Sequence, residues 1–281
     1  EVTLSNAWDK DPKEDDTFTF NVKHLQNSNR STGIYDSKKH SDMDEIWVFG
    51  CSFTHGWSIN DEETFTSLLQ KKYRGYRFIN LGCSGYGTIH QFLQLENLLK
   101  SNKKPKLAIF TYGAFHDVRN VLSRSRKKEL RTMNRLGKLD YPSAILNHEN
   151  ILEIKILDTY YEGLPLINYS SIMNAMDNIY NSYDLKNHNL KSVSQKLISN
   201  IINLTSSNKI KTINAGVYND NETKEMLNFI SNYDVTAIDI SIDIKNDKYN
   251  NKPYDNHPNE TANVHYYEKI SQALDEILSN K

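Results

Sequence analysis

No apolar run in the 281-residue chain approaches the roughly 18 residues that a membrane-spanning helix requires. Cysteine is scarce: Cys51 and Cys83 are the 2 present, too few for a disulfide-dense scaffold or a four-cysteine zinc site. Each follows a short apolar run, so the pair is expected to lie close together as buried free thiols. An excess of one charge is also missing. With 34 Lys+Arg against 35 Asp+Glu, the net charge of -1 creates no field that would recruit nucleic acid or an anionic membrane surface. No cluster of His, Cys and carboxylates has metal-ligand spacing, so neither a metal nor a cofactor is expected. Internal repeats and low-complexity tracts are absent. The chain opens on Glu1 rather than Met, so it is expected to lack its native start, and the sequence assigns it no compartment.

What is present is enough for a sizeable core: 38% of the residues are hydrophobic, and the length predicts one domain with appendages. Residues 1–43 are polar and irregular, with scattered aromatics (Trp8, Phe18, Phe20, Tyr35), and read as an N-terminal extension wrapping a domain that spans 44–281. Within that domain strands and helices alternate. Ile46–Phe49 is a short continuous apolar run suited to a strand covered on both faces, and further strands are predicted at Arg77–Leu81, Leu107–Tyr112, Lys211–Val217 and Val235–Ile240. Between them a helix is predicted from about Asp61, with Phe65, Leu68, Leu69 and Tyr73 on one face and Asp61, Glu62 and Glu63 at its positive end. A second, capped by Thr88, carries Ile89, Phe92, Leu93 and Leu99. Helices near 190–206 and 222–231 follow, and a last one from about Thr261 aligns Val264, Tyr267, Ile270, Leu274 and Ile277. The alternation breaks at about 114–188, which reads as an insertion with a basic stretch (Arg124, Arg126, Lys127, Lys128, Arg131) and a strand-like Ile151–Leu157. The basic stretch reads first as a solvated face; lying over the active edge it would favour an anionic substrate. The fold class is therefore α/β, a three-layer doubly wound parallel sheet whose ligands bind beyond the carboxyl ends of the strands.

Four segments carry possible chemistry. Gly50-Cys51-Ser52-Phe53-Thr54-His55-Gly56 runs from the first predicted strand into a turn, and the glycines allow that turn to be sharp. A helix starting there offers N–H groups to an oxyanion, although a serine in this place could equally be a helix cap. Asn80-Leu81-Gly82-Cys83-Ser84-Gly85-Tyr86-Gly87 is a second strand running into a glycine-rich turn, either a source of a backbone donor or a flexible connection. Gly113-Ala114-Phe115-His116-Asp117, with Asn120 beyond it, brings polar groups past the third strand and could be an ordinary loop. Asp255-Asn256-His257 precedes the last helix, with Asn259 as a possible helix cap. A carboxylate can hold an imidazole in one tautomer, and that imidazole can then take a proton from a serine hydroxyl. His55 and His265 read as structural.

In this order the four segments resemble the SGNH (GDSL-type) hydrolase family, over roughly residues 44–113 and 250–278. The resemblance implies a flavodoxin-like sheet, Ser52 as nucleophile, Asp255 and His257 as its triad partners, and Ser52 and Gly85 as oxyanion-hole donors. Three departures stand out. Cys51 replaces the Asp that normally precedes the nucleophile. The third block lacks its asparagine, leaving His116 or Asn120 as substitute donors. One residue rather than two separates Asp255 from His257. The implied activity is a serine esterase cleaving small acyl esters, O-acetyl groups on a carbohydrate foremost. An O-acetyltransferase using the same acyl-enzyme, and a degenerate glycan-binding domain that has lost its asparagine donor, are the alternatives.

Overall fold

The computed structural model describes residues 1–5, 16–33, 40, 42–101, 103–133 and 139–279, so Trp8 and Tyr35 lie outside the described residues. The chain forms two compact units, one of Glu1–Tyr86, Gln94–Ala114 and Ile201–Lys281, the other of Gly87–Leu93 and Phe115–Asn200.

The first unit is built on five parallel strands: β3 (Glu45–Phe49), β4 (Arg77–Asn80), β5 (Leu107–Tyr112), β8 (Lys211–Tyr218) and β9 (Thr236–Ile242). Their order is β4-β3-β5-β8-β9. All six residues of β5 and four of the five in β3 are buried, as a parallel strand covered on both faces demands. Because the order reverses at β3, right-handed crossovers send α2 (Phe65–Lys72) to one face. The later connections, which use the C-terminal parts of α3 (Thr88–Lys100) and α7 (Leu190–Ser207) and all of α8 (Asn221–Ile230), go to the other face. The last helix, α9 (Glu260–Ser279), packs on α2 and β9. Its buried stripe is Ala262, Tyr266, Ile270, Ala273 and Leu274, while Val264 is exposed, so the inward face is rotated from the one the apolar spacing suggested. Part of the reason is polar: Asn263 turns inward and its Oδ1 accepts the Phe65 N–H at the start of α2.

Asp61, Glu62 and Glu63 do not begin α2. They form a 3-10 turn, and Thr64 caps the helix by accepting the Ser67 N–H. Asp61 is drawn instead to Arg30, with Nε 2.8 Å from Oδ1. Upstream, β1 (Val2–Ser5) and β2 (Thr17–Phe20) pair as an antiparallel ribbon.

In the second unit, α4 (Asp117–Asn120), α5 (Arg124–Met133), the hairpin of β6 (Asp140–Leu146) and β7 (Leu152–Asp158), and α6 (Ser171–Lys186) accompany the first turns of α3 and α7. Ile89, Val121, Ala144, Val193 and Leu197 form its core, which explains why 87–93 belongs here and why the unit runs on to Asn200. The basic stretch is not simply a solvated face. Arg126 is 4% exposed and bound to Glu129, and Arg124 and Lys128 both reach the buried Asp177. Four donors (Arg124, Lys128, Tyr161 and the Leu164 N–H) keep that carboxylate well below the usual range although burial pushes it up.

Candidate active site

Ser52 is the first residue of α1 (Ser52–His55), directly beyond the carboxyl end of β3. This strand is the one with β4 on one side and β5 on the other. The crevice outside that reversal is where open α/β sheets place their ligands. A four-residue helix has no stability of its own, so its surroundings must hold it. Gly50 lies so close to its neighbours that a Cβ would stand 2.0 Å from Thr54 Oγ1 and 2.2 Å from Thr111 Oγ1. Those two hydroxyls share a 2.7 Å hydrogen bond that fastens α1 to β5. Gly56 ends the helix in the left-handed region at φ 78, where a side chain would be strained.

The carbonyls at that end are satisfied from the N-terminal segment. The Arg30 guanidinium, 1% exposed, donates to the carbonyls of His55, Gly56 and Ile59. Burial lowers its pKa, offset in part by Asp61. His24 from the same segment meets His55, Nε2 to Nε2 at 3.0 Å. Burial holds His55 down at about 3, so it is neutral and serves packing.

Ser52 is 4% exposed. Its Oγ lies 3.0 Å from His257 Nε2, and His257 Nδ1 lies 2.7 Å from Asp255 Oδ1. Both partners come from β11 (Asp255–Pro258), which pairs with β10 (Asn250–Asn251) just ahead of α9. Asn259 caps that helix by accepting the Ala262 N–H, so the cap and the Asp/His pair occur together rather than as alternatives. Phe53 and the His257 ring pack in a T-shaped arrangement, with centroids 6.0 Å apart. Asp255 Oδ1 also accepts the backbone N–H of His257 and the hydroxyl of Ser58. Burial raises the Asp255 pKa, but the bonds from His257 and Ser58 outweigh it, and the net shift is downward, towards the carboxylate. Ser58 is itself fixed: it is fully buried, it holds φ 64, and the Asn251 amide donates to both its carbonyl and its hydroxyl.

The second strand-end turn is bolted to the same place. Asn80 Nδ2 donates to the Thr54 carbonyl and to Thr66, its Oδ1 accepts the Gly82 N–H, and Cys83 N–H donates to the Gly50 carbonyl. Gly85 occupies the third position of the turn closed by Tyr86 N–H on the Cys83 carbonyl, at φ 83. Only glycine adopts that conformation at little cost. Both cysteines are free thiols, and Cys51 is fully buried.

The two substitute donors belong to the second unit. Asn120 is fully buried with both ends of its amide committed: Oδ1 accepts the Ile89 N–H and Nδ2 donates to Ser194. It therefore caps α3 and has no surface to offer a substrate, which corrects its assignment as an oxyanion donor. Thr88, expected to be that cap, lies inside the helix, and its hydroxyl has no hydrogen bond among the described residues. His116 is also fully buried, and burial holds it far below its ordinary pKa, as a neutral ring. A side chain with no accessible surface does not meet a substrate oxygen, so His116 too reads as a core residue. Sequence reasoning missed Ser58, Asn251, Thr111 and Arg30, and gave Asn80 no role of its own. Their signal is polar contact between residues up to 197 apart, which no local pattern announces. Among the described residues no group of His, Cys and carboxylates could hold a metal ion, and no helix is long and apolar enough to cross a membrane.

No family model matches this chain, and no curated protein matches it. Solved structures do. TesA aligns at 12% identity over 82% of this chain and 98% of its own, with a TM-score of 0.49. A member of the lipolytic protein G-D-S-L family from Veillonella parvula aligns at 12% identity over 81% and 96%, with a TM-score of 0.46. The SGNH-hydrolase family esterase AlinE4 aligns at 16% identity over 70% and 76%, with a TM-score of 0.40. Likenesses this remote carry no argument about chemistry, which rests on the geometry described above.

Proposed function

We propose that the chain is a serine esterase that cleaves small acyl esters, an O-acetyl group on a carbohydrate being the substrate class to test first. The observation that carries this reading is the unbroken hydrogen-bonded line Ser52–His257–Asp255 beyond the carboxyl end of β3. In the mechanism, Ser52 Oγ attacks the ester carbonyl while His257 Nε2 takes its proton. Asp255 holds Nδ1–H and steadies the imidazolium. The N–H groups of Ser52 and Gly85 receive the oxyanion, with His116 and Asn120 left out of the hole. His257 returns the proton to the departing alcohol, an acyl-Ser52 remains, and water activated by the same histidine releases the acid. The downward shift of Asp255, caused by its hydrogen bonds from His257 and Ser58, supports this by favouring the carboxylate that the imidazolium needs.

The test is p-nitrophenyl acetate turnover by the wild type and by Ser52→Ala, followed by acetate release from an O-acetylated sugar. Turnover lost in the variant supports the esterase. Turnover unchanged in Ser52→Ala, or absent from the wild type, removes it and leaves a binding domain.

A further inference from the structure

Helix α6 has its polarity reversed. A helix at a protein surface normally turns its apolar residues inward. Here the buried residues are Asp177 and Asn181. Asp177 takes Arg124 at 2.7 Å and Lys128 at 2.8 Å, Asn181 bonds the Tyr161 hydroxyl, and Asp184 accepts the Arg124 N–H. The helix is thus anchored to α5 and its surroundings by charge. Facing solvent are Ile172 (72% exposed), Met176 (51%), Ile179 (70%), Tyr180 (50%) and Tyr183 (64%). Leu166 and Tyr169, on the segment leading into α6, are 64% and 89% exposed. At roughly 150–250 Å² per large side chain, these seven leave on the order of 800 Å² of apolar surface in water. Monomers seldom expose contiguous patches of more than a few hundred Å², and one side of a stable interface buries about 800 Å².

The spacing says what kind of partner fits. Ile172, Met176, Ile179 and Tyr183 follow one another by steps of four, three and four, the seam along which two helices pack knobs into holes. The charge pattern says whose helix it is. Beside the seam stand Asn174, Ala175, Asn178 and Ser182, all uncharged, while Asp177 and Asp184 are used inward. A second copy of this face therefore meets it without like-charge repulsion. A lipid surface is the poorer match, since a membrane-lying helix flanks its apolar face with Lys and Arg, and α6 has Lys186 alone. We propose that the outward face of α6 is a self-association surface through which two copies of this chain pair helix to helix. The assignment does not depend on the proposed esterase.

Analytical ultracentrifugation of the whole chain, from low micromolar to several hundred micromolar, tests it against Met176→Glu/Ile179→Glu. The expected result is a wild-type mass that rises to twice that of one chain, and a double variant that stays at one chain with unchanged circular dichroism. If the double variant loses its fold, Ile172→Gln and Ile179→Gln give the same reading through a weakened association. A wild type that remains a single chain throughout, or variants that pair as it does, would overturn the proposal. So would wild-type binding to phosphatidylcholine–phosphatidylglycerol vesicles that disappears in the double variant, which would assign the face to lipid.

Discussion

Ser52 owes whatever reactivity it has to its neighbours, because a serine hydroxyl is a weak nucleophile until a base takes its proton. If His257 is that base, His257→Ala and Ser52→Ala should each lower kcat/KM for p-nitrophenyl acetate by at least about 10³-fold, and the double variant should be little worse than either. Additive losses in that three-variant series would show that His257 acts on something else. Ser58 supplies a finer test. Its hydroxyl is 3.1 Å from Asp255 Oδ1 and is itself oriented by Asn251. A hydrogen bond to a charged group contributes about 1.5–3 kcal/mol, so Ser58→Ala should cut kcat about tenfold or more. KM should hardly change, since Ser58 holds Asp255 rather than substrate. If Ser58 acts only through Asp255, Ser58→Ala should add nothing in a variant that already lacks the Asp255 carboxylate, and a further fall there would show a separate role for Ser58.

At the scale of elements, β3 and β5 were the most legible strands because they are short, mostly apolar runs buried on both faces, whereas β4 and β9 carry polar residues and are only partly buried. From the strands followed the crevice beyond β3 and the place of Ser52. The second unit was less legible. β6 holds Asp140, Pro142 and Ser143 among its apolar residues, and α6 hides its charges and shows its hydrophobes, so neither carries the periodicity that marks an element. Caps were misread for a related reason. Thr88 lies inside the helix rather than at its cap, and the N–H of Ile89 donates to Asn120, an amide 31 residues away. That contact predicts that Asn120→Ala uncaps α3 and loses about 1–2 kcal/mol in urea unfolding while kcat stays within about twofold. A large fall in kcat at unchanged stability would restore Asn120 to the oxyanion hole.

Over the whole molecule, the histidines that are not used for chemistry set the response to acid. His55 and His90 are held at about 3 by burial, and His116 lies well below its ordinary value for the same reason. In the unfolded chain each titrates near 6.5, as free histidine does. Between the folded and unfolded values only the unfolded state binds the proton, so falling pH favours unfolding. The window opens near 6.5 and extends to about 3 for His55 and His90. Each such group costs at most about 1.4 kcal/mol per pH unit within it. Asp255 contributes in the same direction only at lower pH: its depressed pKa stabilises the fold above about 3.9 and that stabilisation is lost as pH falls through the folded value. Urea midpoints should therefore drop steadily from neutral pH towards about pH 5, and the drop should be shallower in His90→Gln. A midpoint that is flat across this range would mean that the buried rings accept protons without unfolding.

The central claim, that Ser52 becomes acylated, is tested most directly by trapping the intermediate. Enzyme mixed with p-nitrophenyl acetate is quenched in acid within the first turnovers and its peptides are read by mass spectrometry. An acetyl group on Ser52, absent from His257→Ala under the same conditions, is the result expected. Acetyl on any other side chain, or steady hydrolysis with Ser52 never modified, would contradict it.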